Sequence, residues 1–487
     1  MWKSLFLSLG ISTGVAVQAL PKAVCFRFDD NQNVRKYSVM AETFRKNNAV
    51  FSFSLNPLRS EGKKWQEMVC RLSEEGFEVM DHTPNHSTLA IRFSPGDPLL
   101  EKAKKADCVH HINGERICFK YDMKGSIWSK PIEVEIRDGN KISAHPEFKY
   151  RRLVEIEGNY YYIVPDKLKL ISIWAEDNVR LTNGKKQLRL SLSTQRPYPG
   201  SAEFMVEVSQ AVFRRIGLKK MPVSWIQPGG YYISLETVSL GKVLKKYGYV
   251  SASTTPSILK GFGNVDMDTD RFAINWGDFN FERNTVAEAK TRIADAVACH
   301  RIPIASSHFR IKCTLEEYAA KHDQLLKWCN QNGIRVLPQS EAALLLLNTK
   351  VDAAENVFPS LSCDLDNNNR PDGYFAADGV KFQNGKVILP GKKKFGLKKL
   401  CGLPLERKMS FSVEHTLGHG AALFRLLDAR GKLCGTAKLD LSQKNKSAQM
   451  ELSLPEKCTS LDFEIINLGT EQGIVSRLNL TGRKADR

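Results

Sequence analysis

The chain has 487 residues, a length that predicts about two to four domains. Its hydrophobic fraction of 42% and charged fraction of 25% exclude collagenous, low-complexity and wholly disordered proteins. Lys and Arg outnumber Asp and Glu by 71 to 53, but these basic residues are scattered apart from a cluster at Lys392–Lys399. We therefore predict no nucleic-acid partner, and a basic surface that meets acidic polymers at a cell envelope instead. No internal apolar run approaches the about 18 residues that a membrane span needs, so no transmembrane segment is predicted.

The N-terminus predicts export. Lys3 precedes an apolar stretch from Leu5 to Val17, and Val17-Gln18-Ala19 offers the small residues that a signal peptidase recognises. Residues 1–19 are therefore predicted to be a signal peptide cleaved near Ala19. The alternative, a buried helix, is disfavoured by the glycines in the stretch. A secreted or periplasmic location follows, and eleven cysteines fit an oxidising compartment.

From Ala23 onward, short apolar strands alternate with helical stripes. The strands are predicted at Ala23–Phe28, Val50–Leu55 and Phe77–Met80. This βαβα order implies parallel strands with right-handed crossovers. Residues 94–200 break the rhythm with short alternating segments separated by turns, which predicts a β-rich insertion. The βα alternation then resumes over residues 201–350, and the strands are numerous enough for a barrel.

The character changes again after Lys350. Residues 351–373 are loop-like, and residues 374–487 contain strand-length runs with frequent Gly and Lys, which predicts an all-β sandwich. The sequence therefore predicts an α/β barrel over residues 20–93 and 201–350, a β-rich insertion, a linker and a C-terminal β-sandwich.

Three places at the carboxyl ends of predicted strands carry candidate chemistry, because a βα barrel forms its active site at that face. The first is the pair Asp29 and Asp30, which could be plain turn residues, or one metal ligand and one base. The second holds His82 and His86, four positions apart, which could be solvated or could converge on one cation. Together with Asp30 they would form a three-ligand set with an open position, as in a catalytic zinc site.

The third place is His308, which ends the apolar run Ile304-Ala305-Ser306-Ser307. The terminal position of this imidazole predicts that it lies at the same face of the barrel. It could cap or pack, or it could act as a general acid beside a metal.

The order of these motifs resembles a known family. Phe-Asp-Asp, then His-Thr-x-x-His-Ser, then Pro-Gly-Gly and a strand ending in His are similar to polysaccharide deacetylases of the NodB-homology class, carbohydrate esterase family four. The resemblance covers about residues 23–93 and 200–345, and the Asp-Asp and His-x-x-x-His elements are its most specific parts. It implies a distorted (β/α) barrel.

The resemblance also implies roles. Asp29 would be the general base and His308 the general acid, while Asp30, His82 and His86 would bind zinc or another divalent ion. Substrate and oxyanion contacts would come from the segment that contains Gln227, Gly230 and Tyr231.

The sequence departs from the family at two places. The family usually has an Arg where this chain has Gln227, and Arg310 is a candidate to replace its charge. The family's Asp-Trp element has Trp276 and Asp295 as candidates. These departures put catalysis in question more than metal binding.

A second metal motif precedes the predicted sandwich. Asp364, Asp366, Asn368 and Asp372 place oxygen ligands near a Gly turn, which suits calcium. The segment resembles the Asp-rich opening of carbohydrate-binding β-sandwich modules, and a solvated linker turn is the alternative.

These observations predict a secreted metal-dependent deacetylase that hydrolyses N- or O-acetyl groups of an acetylated polysaccharide or oligosaccharide. A glycan-binding protein with weak or no activity on the same barrel is the alternative that Gln227 favours. A peptidoglycan-modifying amidase differs only in substrate.

Overall fold

The computed structural model describes residues 22–482 except for short gaps at 60–61, 87–89, 107–108, 113–115, 123–129, 139–140, 145–152, 157–158, 164–171, 176–187, 192–198, 227–239, 255–273, 276–278, 310–311, 349–355, 404–406, 429–431 and 443–445. The chain divides into two compact units. The barrel unit comprises Ala23–Ile293 and Ile302–Leu344. The sandwich unit includes Ala294–Arg301 and the chain from Leu345 onward.

The barrel unit begins with the predicted βαβα order. Its first elements are β1 (Ala23–Phe28), α1 (Val34–Lys46), β2 (Ser52–Leu55), α2 (Lys63–Glu74) and β3 (Glu78–Asp81). A single 3-10 turn, Pro57–Arg59, follows β2. The apolar stripe of α1 is buried, and its first turn is capped by Asn33, whose side chain accepts a hydrogen bond from the Lys36 amide.

The insertion is rich in strands, as predicted, but it also contains a helix that the sequence analysis missed. Its elements are β4 (Ala90–Phe93), α3 (Pro98–Ala106), β5 (Val109–Ile112), β6 (Arg116–Asp122), β7 (Lys130–Asp138), β8 (Lys141–Ala144), β9 (Leu153–Ile156), β10 (Asn159–Ile163), β11 (Ser172–Ala175) and β12 (Leu188–Ser191). The helix α3 forms because Leu100 and Ala103, three positions apart, bury one face.

The alternation then resumes. The elements are α4 (Pro199–Arg215), β13 (Ser224–Ile226), α5 (Leu240–Lys246), β14 (Ser251–Thr254), β15 (Ile274–Asn275), β16 (Phe279–Asn280), α6 (Val286–Ala298), β17 (Ile304–Ser307), α7 (Leu315–Gln331), β18 (Arg335–Val336) and α8 (Gln339–Asn348). Nine strands form one sheet in the order β15-β14-β13-β3-β2-β1-β17-β16, with β18 also paired to β1. The strand pairings in this sheet are parallel among the described residues. This confirms the parallel barrel-type α/β class, with a sheet that is open between β15 and β16 in the described residues.

The two faces of the central strands differ in chemistry. Phe26 and Phe28 of β1 lie toward the helices, where both contact the His322 ring of α7. Arg27 lies on the opposite, concave face because side chains alternate along a strand. Small buried serines line that concave face, namely Ser52, Ser54, Ser224, Ser251 and Ser253. This face of the sheet is therefore lined by small polar side chains next to Arg27.

The sandwich unit consists of two five-stranded antiparallel sheets, as the sequence predicted. The strands are β19 (Tyr374–Ala376), β20 (Lys381–Gln383), β21 (Lys386–Leu389), β22 (Lys394–Leu400), β23 (Lys408–His415), β24 (Gly420–Asp428), β25 (Leu433–Leu441), β26 (Lys446–Ser453), β27 (Cys458–Asn467) and β28 (Gly473–Gly482). The orders are β19-β22-β27-β24-β25 and β20-β21-β28-β23-β26. Phe411 of the second sheet contacts Phe424 and Phe463 of the first at ring distances of 4.9 and 5.4 Å.

None of the helices in the described ranges combines the length and the apolar character that crossing a bilayer requires.

Candidate active site

Asp29 follows β1 directly and is only 1% exposed. The guanidinium of Arg27, two positions earlier on the same face, contacts both of its carboxylate oxygens. Arg27 Nε lies 2.9 Å from Oδ1, and Nη2 donates a hydrogen bond to Oδ2 at 3.1 Å. Ser54 Oγ of β2 donates a further hydrogen bond to Oδ1 at 2.9 Å. The carboxylate is thus held at a fixed angle by two neighbouring strands.

These contacts decide the ionisation of Asp29. Burial by itself raises the pKa of Asp29, but the positive charge of Arg27 and its hydrogen bond to the carboxylate outweigh burial and lower the pKa below its ordinary value. The carboxylate is therefore ionised at neutral pH. A proton acceptor in this position needs no further group to deprotonate it.

Asp30, His82 and His86 converge as the sequence predicted. One ligand atom from each lies within 4.8 Å of the others. Asp30 Oδ1 is 3.3 Å from His82 Nε2 and 3.0 Å from His86 Nε2. His82 is buried, whereas Asp30 and His86 are partly exposed, so the cluster has one open side.

A backbone hydrogen bond fixes the tautomer of His82. Its Nδ1 lies 3.0 Å from the carbonyl oxygen of Ile226, and because a carbonyl only accepts, Nδ1 carries the proton. With the proton on Nδ1, the neutral form of the ring presents a lone pair at Nε2. Neither this nitrogen nor Asp30 Oδ1 has a hydrogen-bond partner of good geometry, although both are buried. Two acceptor atoms that face each other in this way fit a cation between them.

The remaining ionisation states agree with this fit. Burial acts to raise the pKa of Asp30, but the adjacent imidazoles of His82 and His86 more than offset it and hold the pKa well below the usual range. Burial lowers the pKa of His86, although Asp30 opposes that shift. Asp30 is therefore anionic and His86 neutral at pH 7, the forms that a divalent metal ion requires of its ligands.

The backbone of the cluster is strained. Asp30, Thr83 and His86 adopt positive φ angles of 66°, 67° and 63°. Such conformations cost about 1–3 kcal/mol each in residues other than Gly, and they concentrate at functional sites. Thr83 is β-branched, so its conformation is the least favourable of the three. Its amide is held by Asp81 Oδ1 at 3.0 Å.

Polar residues that the sequence analysis missed hold the loops in place. Tyr37 Oη donates to the carbonyl of Asp30 at 2.8 Å, and Asn56 Nδ2 donates to the carbonyl of His82 at 2.5 Å. The Asn31 side chain also donates a hydrogen bond to the Asn56 carbonyl and accepts one from the Asn56 amide. The signal that could have found them is an Asn or Gln after each of β1 and β2, since polar residues following neighbouring parallel strands meet at one edge.

His308 lies beside Asp29. Phe28 pairs with Ser307 between β1 and β17, and the Asp29 amide donates to the Ser307 carbonyl at 2.7 Å, so the next residues, Asp29 and His308, follow neighbouring parallel strands. The charge of His308 contributes to the lowered pKa of Asp29. The His308 amide donates to the carboxylate of Glu282, which also accepts from Ser307 Oγ. The half-buried imidazole is thus near the cluster, as predicted.

Other candidates fall elsewhere. Gln227, Gly230, Tyr231, Trp276 and Arg310 lie outside the described residues. Asp295, a candidate for the Asp-Trp element, belongs to the sandwich unit, where it accepts hydrogen bonds from the Gly373 amide at 2.6 Å and from Arg370 at 2.8 Å. Helix α6 thus turns the Asp295 carboxylate toward the Asp-rich segment.

The Asp-rich segment forms a second cluster in the sandwich unit. Carboxylate oxygens of Asp364, Asp366 and Asp372 lie within 4.8 Å of one another. Asp372 is 1% exposed, and its Oδ1 has no hydrogen-bond partner among the described residues. Asn368, the fourth predicted ligand, donates from Nδ2 to Asp366 Oδ2 at 2.8 Å and accepts from the Arg370 amide.

Comparisons with known proteins give likenesses to solved structures alone. No protein-family model matches the sequence. A comparison with curated proteins likewise gives no match. Among solved structures, the chain is similar to a family 4 carbohydrate esterase from Streptomyces lividans in complex with acetate, with 9% identity and a TM-score of 0.30 over 65% of this chain and 93% of that chain. It is also similar to the peptidoglycan deacetylase PdaC from Bacillus subtilis, with 13% identity and a TM-score of 0.30 over 68% and 94%.

A third likeness covers 24% of this chain and 27% of the Clostridium thermocellum N-terminal endo-1,4-β-D-xylanase 10B, with 14% identity and a TM-score of 0.19. All three structures are at most 14% identical to this chain. Their TM-scores are low, so the proposals below rest on the geometry of the two clusters.

Proposed function

We propose that the protein is a metal-dependent deacetylase that hydrolyses N- or O-acetyl groups of a polysaccharide or oligosaccharide. The observation that carries the proposal is the adjacency of two differently prepared carboxylates. Asp30 faces two histidines, whereas Asp29, the next residue, faces Arg27 and Ser54. One carboxylate is thus arranged to bind a cation and the other to accept a proton, which is the division of labour that hydrolysis by an activated water requires.

Each residue has a defined part in this reaction. A divalent metal ion, for which zinc is the choice that two imidazoles favour, would be held by Asp30, His82 and His86 and would supply Lewis-acid chemistry. Asp29 accepts the proton of the attacking water. Among the described residues its Oδ2 accepts one hydrogen bond, from Arg27, which leaves a second lone pair for that proton. His308 donates a proton to the amine or alcohol that leaves as the acetyl bond breaks.

The decisive experiment compares the wild-type protein with Asp29→Asn. Asn keeps the shape of Asp and removes the base, so kcat for acetate release should fall by about 10² or more while bound zinc is retained. Acetate would be assayed on N-acetylated chitooligosaccharides, acetylated xylan and peptidoglycan fragments. The panel also tests which acetylated glycan is the partner and whether an amide or an ester is cleaved. Unchanged release by Asp29→Asn would remove Asp29 from the role of base.

A glycan-binding protein without turnover is the second candidate. The observation that favours it is the exposure of Asp29, which is only 1%, with both carboxylate oxygens engaged by protein groups. A base enclosed to this extent has little direct contact with solvent. Wild-type protein that binds an acetylated glycan but releases no acetate from any of them would establish this alternative.

We further propose that the protein acts outside the cytoplasm and that its sandwich unit binds calcium. The first part rests on the N-terminal sequence alone, and N-terminal sequencing of the exported protein, which should begin after Ala19, tests it. The second part rests on three carboxylates within 4.8 Å and on the buried Asp372 oxygen that accepts no hydrogen bond. Burial raises the pKa of Asp372 to about 6, so the carboxylate needs a nearby cation to stay ionised without cost.

A further inference from the structure

Arg27 is a fully buried cation inside the parallel sheet. Its exposure is 0%, and it sits in the middle of a strand whose other residues are apolar or small. A guanidinium cannot be deprotonated in a protein, so its burial demands compensating contacts. The structure supplies them on two sides.

One side of the guanidinium holds Asp29 at both oxygens, as described above. The other side is itself held. Arg27 Nη1 donates to Ser253 Oγ of β14 at 2.9 Å and to Gln339 Oε1 of α8 at 3.1 Å. Gln339 is buried too, and its amide donates to Ser52 Oγ of β2 at 3.0 Å. The guanidinium is therefore fixed by elements that are far apart in the chain.

The serines explain why this side chain fits. Barrel interiors are ordinarily filled with bulky branched residues. Here the concave faces of β2, β13 and β14 carry Ser52, Ser54, Ser224, Ser251 and Ser253, all 0% exposed. Small side chains leave the volume that Arg27 occupies, and one of their hydroxyls, Ser253 Oγ, accepts a hydrogen bond from it.

From this geometry we propose that Arg27 is the positioning residue of the reaction: it aims the Asp29 carboxylate from inside the sheet through its two-point contact. This inference rests on the proposed function for its kinetic consequence. Arg27 cannot touch a glycan, because it is buried beneath Asp29. Its loss should therefore lower kcat and leave KM and bound zinc within about twofold of wild type.

The test compares Arg27→Met, Arg27→Lys, Asp29→Asn and the double variant Arg27→Met with Asp29→Asn. Methionine keeps most of the side-chain length and removes the guanidinium that contacts both Asp29 oxygens, so kcat should fall by about 10-fold to 100-fold. Lysine keeps the charge with a single-point contact and should recover part of that loss. In the Asp29→Asn background, Arg27→Met should cause no further loss, because the group through which Arg27 acts is already gone. Arg45→Met on the surface of α1, where Arg45 pairs with Glu75, is the matched control and should leave kcat unchanged.

A double-mutant cycle read out by the Tm of the same variants does not depend on enzymatic turnover. Arg27→Met alone leaves Asp29 buried and unpaired, so Tm should fall by about 5–15 °C, whereas the double variant should recover most of that loss. Additive Tm shifts, or a normal kcat in Arg27→Met while Asp29→Asn is inactive, would overturn the positioning role. If wild-type protein releases no acetate, the proposed function fails, and the unfolding cycle alone then decides whether Arg27 holds Asp29.

Discussion

A single backbone carbonyl sets the chemistry of the histidine cluster. Because the Ile226 carbonyl accepts a hydrogen bond from His82 Nδ1, the other nitrogen of the neutral ring can only accept, and it faces a carboxylate that also can only accept. The protein thereby maintains a repulsive contact that a cation removes. The strained backbone at Asp30 and His86 adds a further free-energy cost at the same site.

We expect His82→Ala and His86→Ala each to lose the zinc that the wild-type protein holds at about one ion per chain, since each removes one of three ligands. His82→Ala should have the larger effect, because His82 is buried and its tautomer is fixed, whereas His86 is partly exposed. Elemental analysis and zinc titration measure this. His419→Ala, an exposed histidine of the sandwich unit, is the control. Equal zinc content in all three variants would contradict the assignment.

The sequence could predict most of the cluster at this scale. Asp29, Asp30, His82, His86 and His308 all follow strands, and strand ends converge at one edge of a parallel sheet. Arg27 was not predicted as a partner of Asp29. The family resemblance implies a cation after β13, where this chain has Gln227, and Arg310 after β17 was the candidate replacement, whereas the structure supplies the cation from inside β1. In the sequence, Arg27 is marked as a charged residue in an otherwise apolar strand. Only the long-range packing of the strand shows which group that charge contacts.

At the scale of elements, β1 shows how one strand serves two environments. Its concave face carries Arg27 and leads to Asp29, while its convex face packs aromatic rings on the helices. His322 of α7 lies among those rings, 4.4 Å from the centroids of both Phe281 and Tyr318. Burial lowers the pKa of His322 to about 4, although a hydrogen bond to the Tyr318 carbonyl opposes the shift.

This predicts a pH-dependent packing of α7 on β1. The folded-state pKa of His322 is lower than its ordinary value of 6.5, so its contribution to stability is complete above pH 6.5 and is lost as the pH falls toward 4. The full loss is about 3 kcal/mol, at 1.36 kcal/mol per pH unit of pKa shift. His322→Phe keeps the ring and cannot be protonated, so its stability should vary less between pH 6.5 and 4. Denaturant unfolding at each pH measures this, and parallel curves for both proteins would refute it.

Element types were predictable where hydrophobic periodicity was strong. The expected strand at Ala23–Phe28 has the observed bounds, and the βα order around the insertion was right. The helix α3 was missed because Pro98–Ala106 buries only a narrow face, with Leu100 and Ala103, in a segment otherwise rich in lysine. An apolar stripe this short does not distinguish a helix from a loop unless its packing partners are known.

At the scale of the whole molecule, the sandwich unit is discontinuous in sequence. Residues Ala294–Arg301, which include the end of α6, belong to it although they precede the remainder by more than forty positions. Asp295 in this segment bonds to Arg370 and to the Gly373 amide. Gly373 has a φ of +84°, and a Cβ there would lie 2.9 Å from Cys299 Sγ, so only glycine fits. The Asp-rich segment is thus held in place from a distant part of the chain.

Calcium should therefore stabilise the sandwich unit as a whole. At a calcium concentration about 100 times Kd, binding adds about 2.7 kcal/mol to the free energy of unfolding, which should raise the unit's Tm by about 5–10 °C relative to EDTA. Asp372→Asn should abolish this shift, whereas Asp378→Asn, on the exposed turn after β19, should retain it. Differential scanning calorimetry measures the shift. A calcium shift that persists in Asp372→Asn would refute the assigned ligand.

Because the sandwich unit is discontinuous in sequence, a single cut in the chain cannot excise it whole. Transplanting the β-sandwich into another protein by cutting once, before Leu345, would leave behind Asp295, which anchors its first loop, and Cys299, which belongs to its apolar core. The excised fragment would expose the gap that this core residue fills. A sandwich unit produced on its own therefore needs a substitute for the eight residues Ala294–Arg301, which lie between two segments of the barrel unit in the sequence.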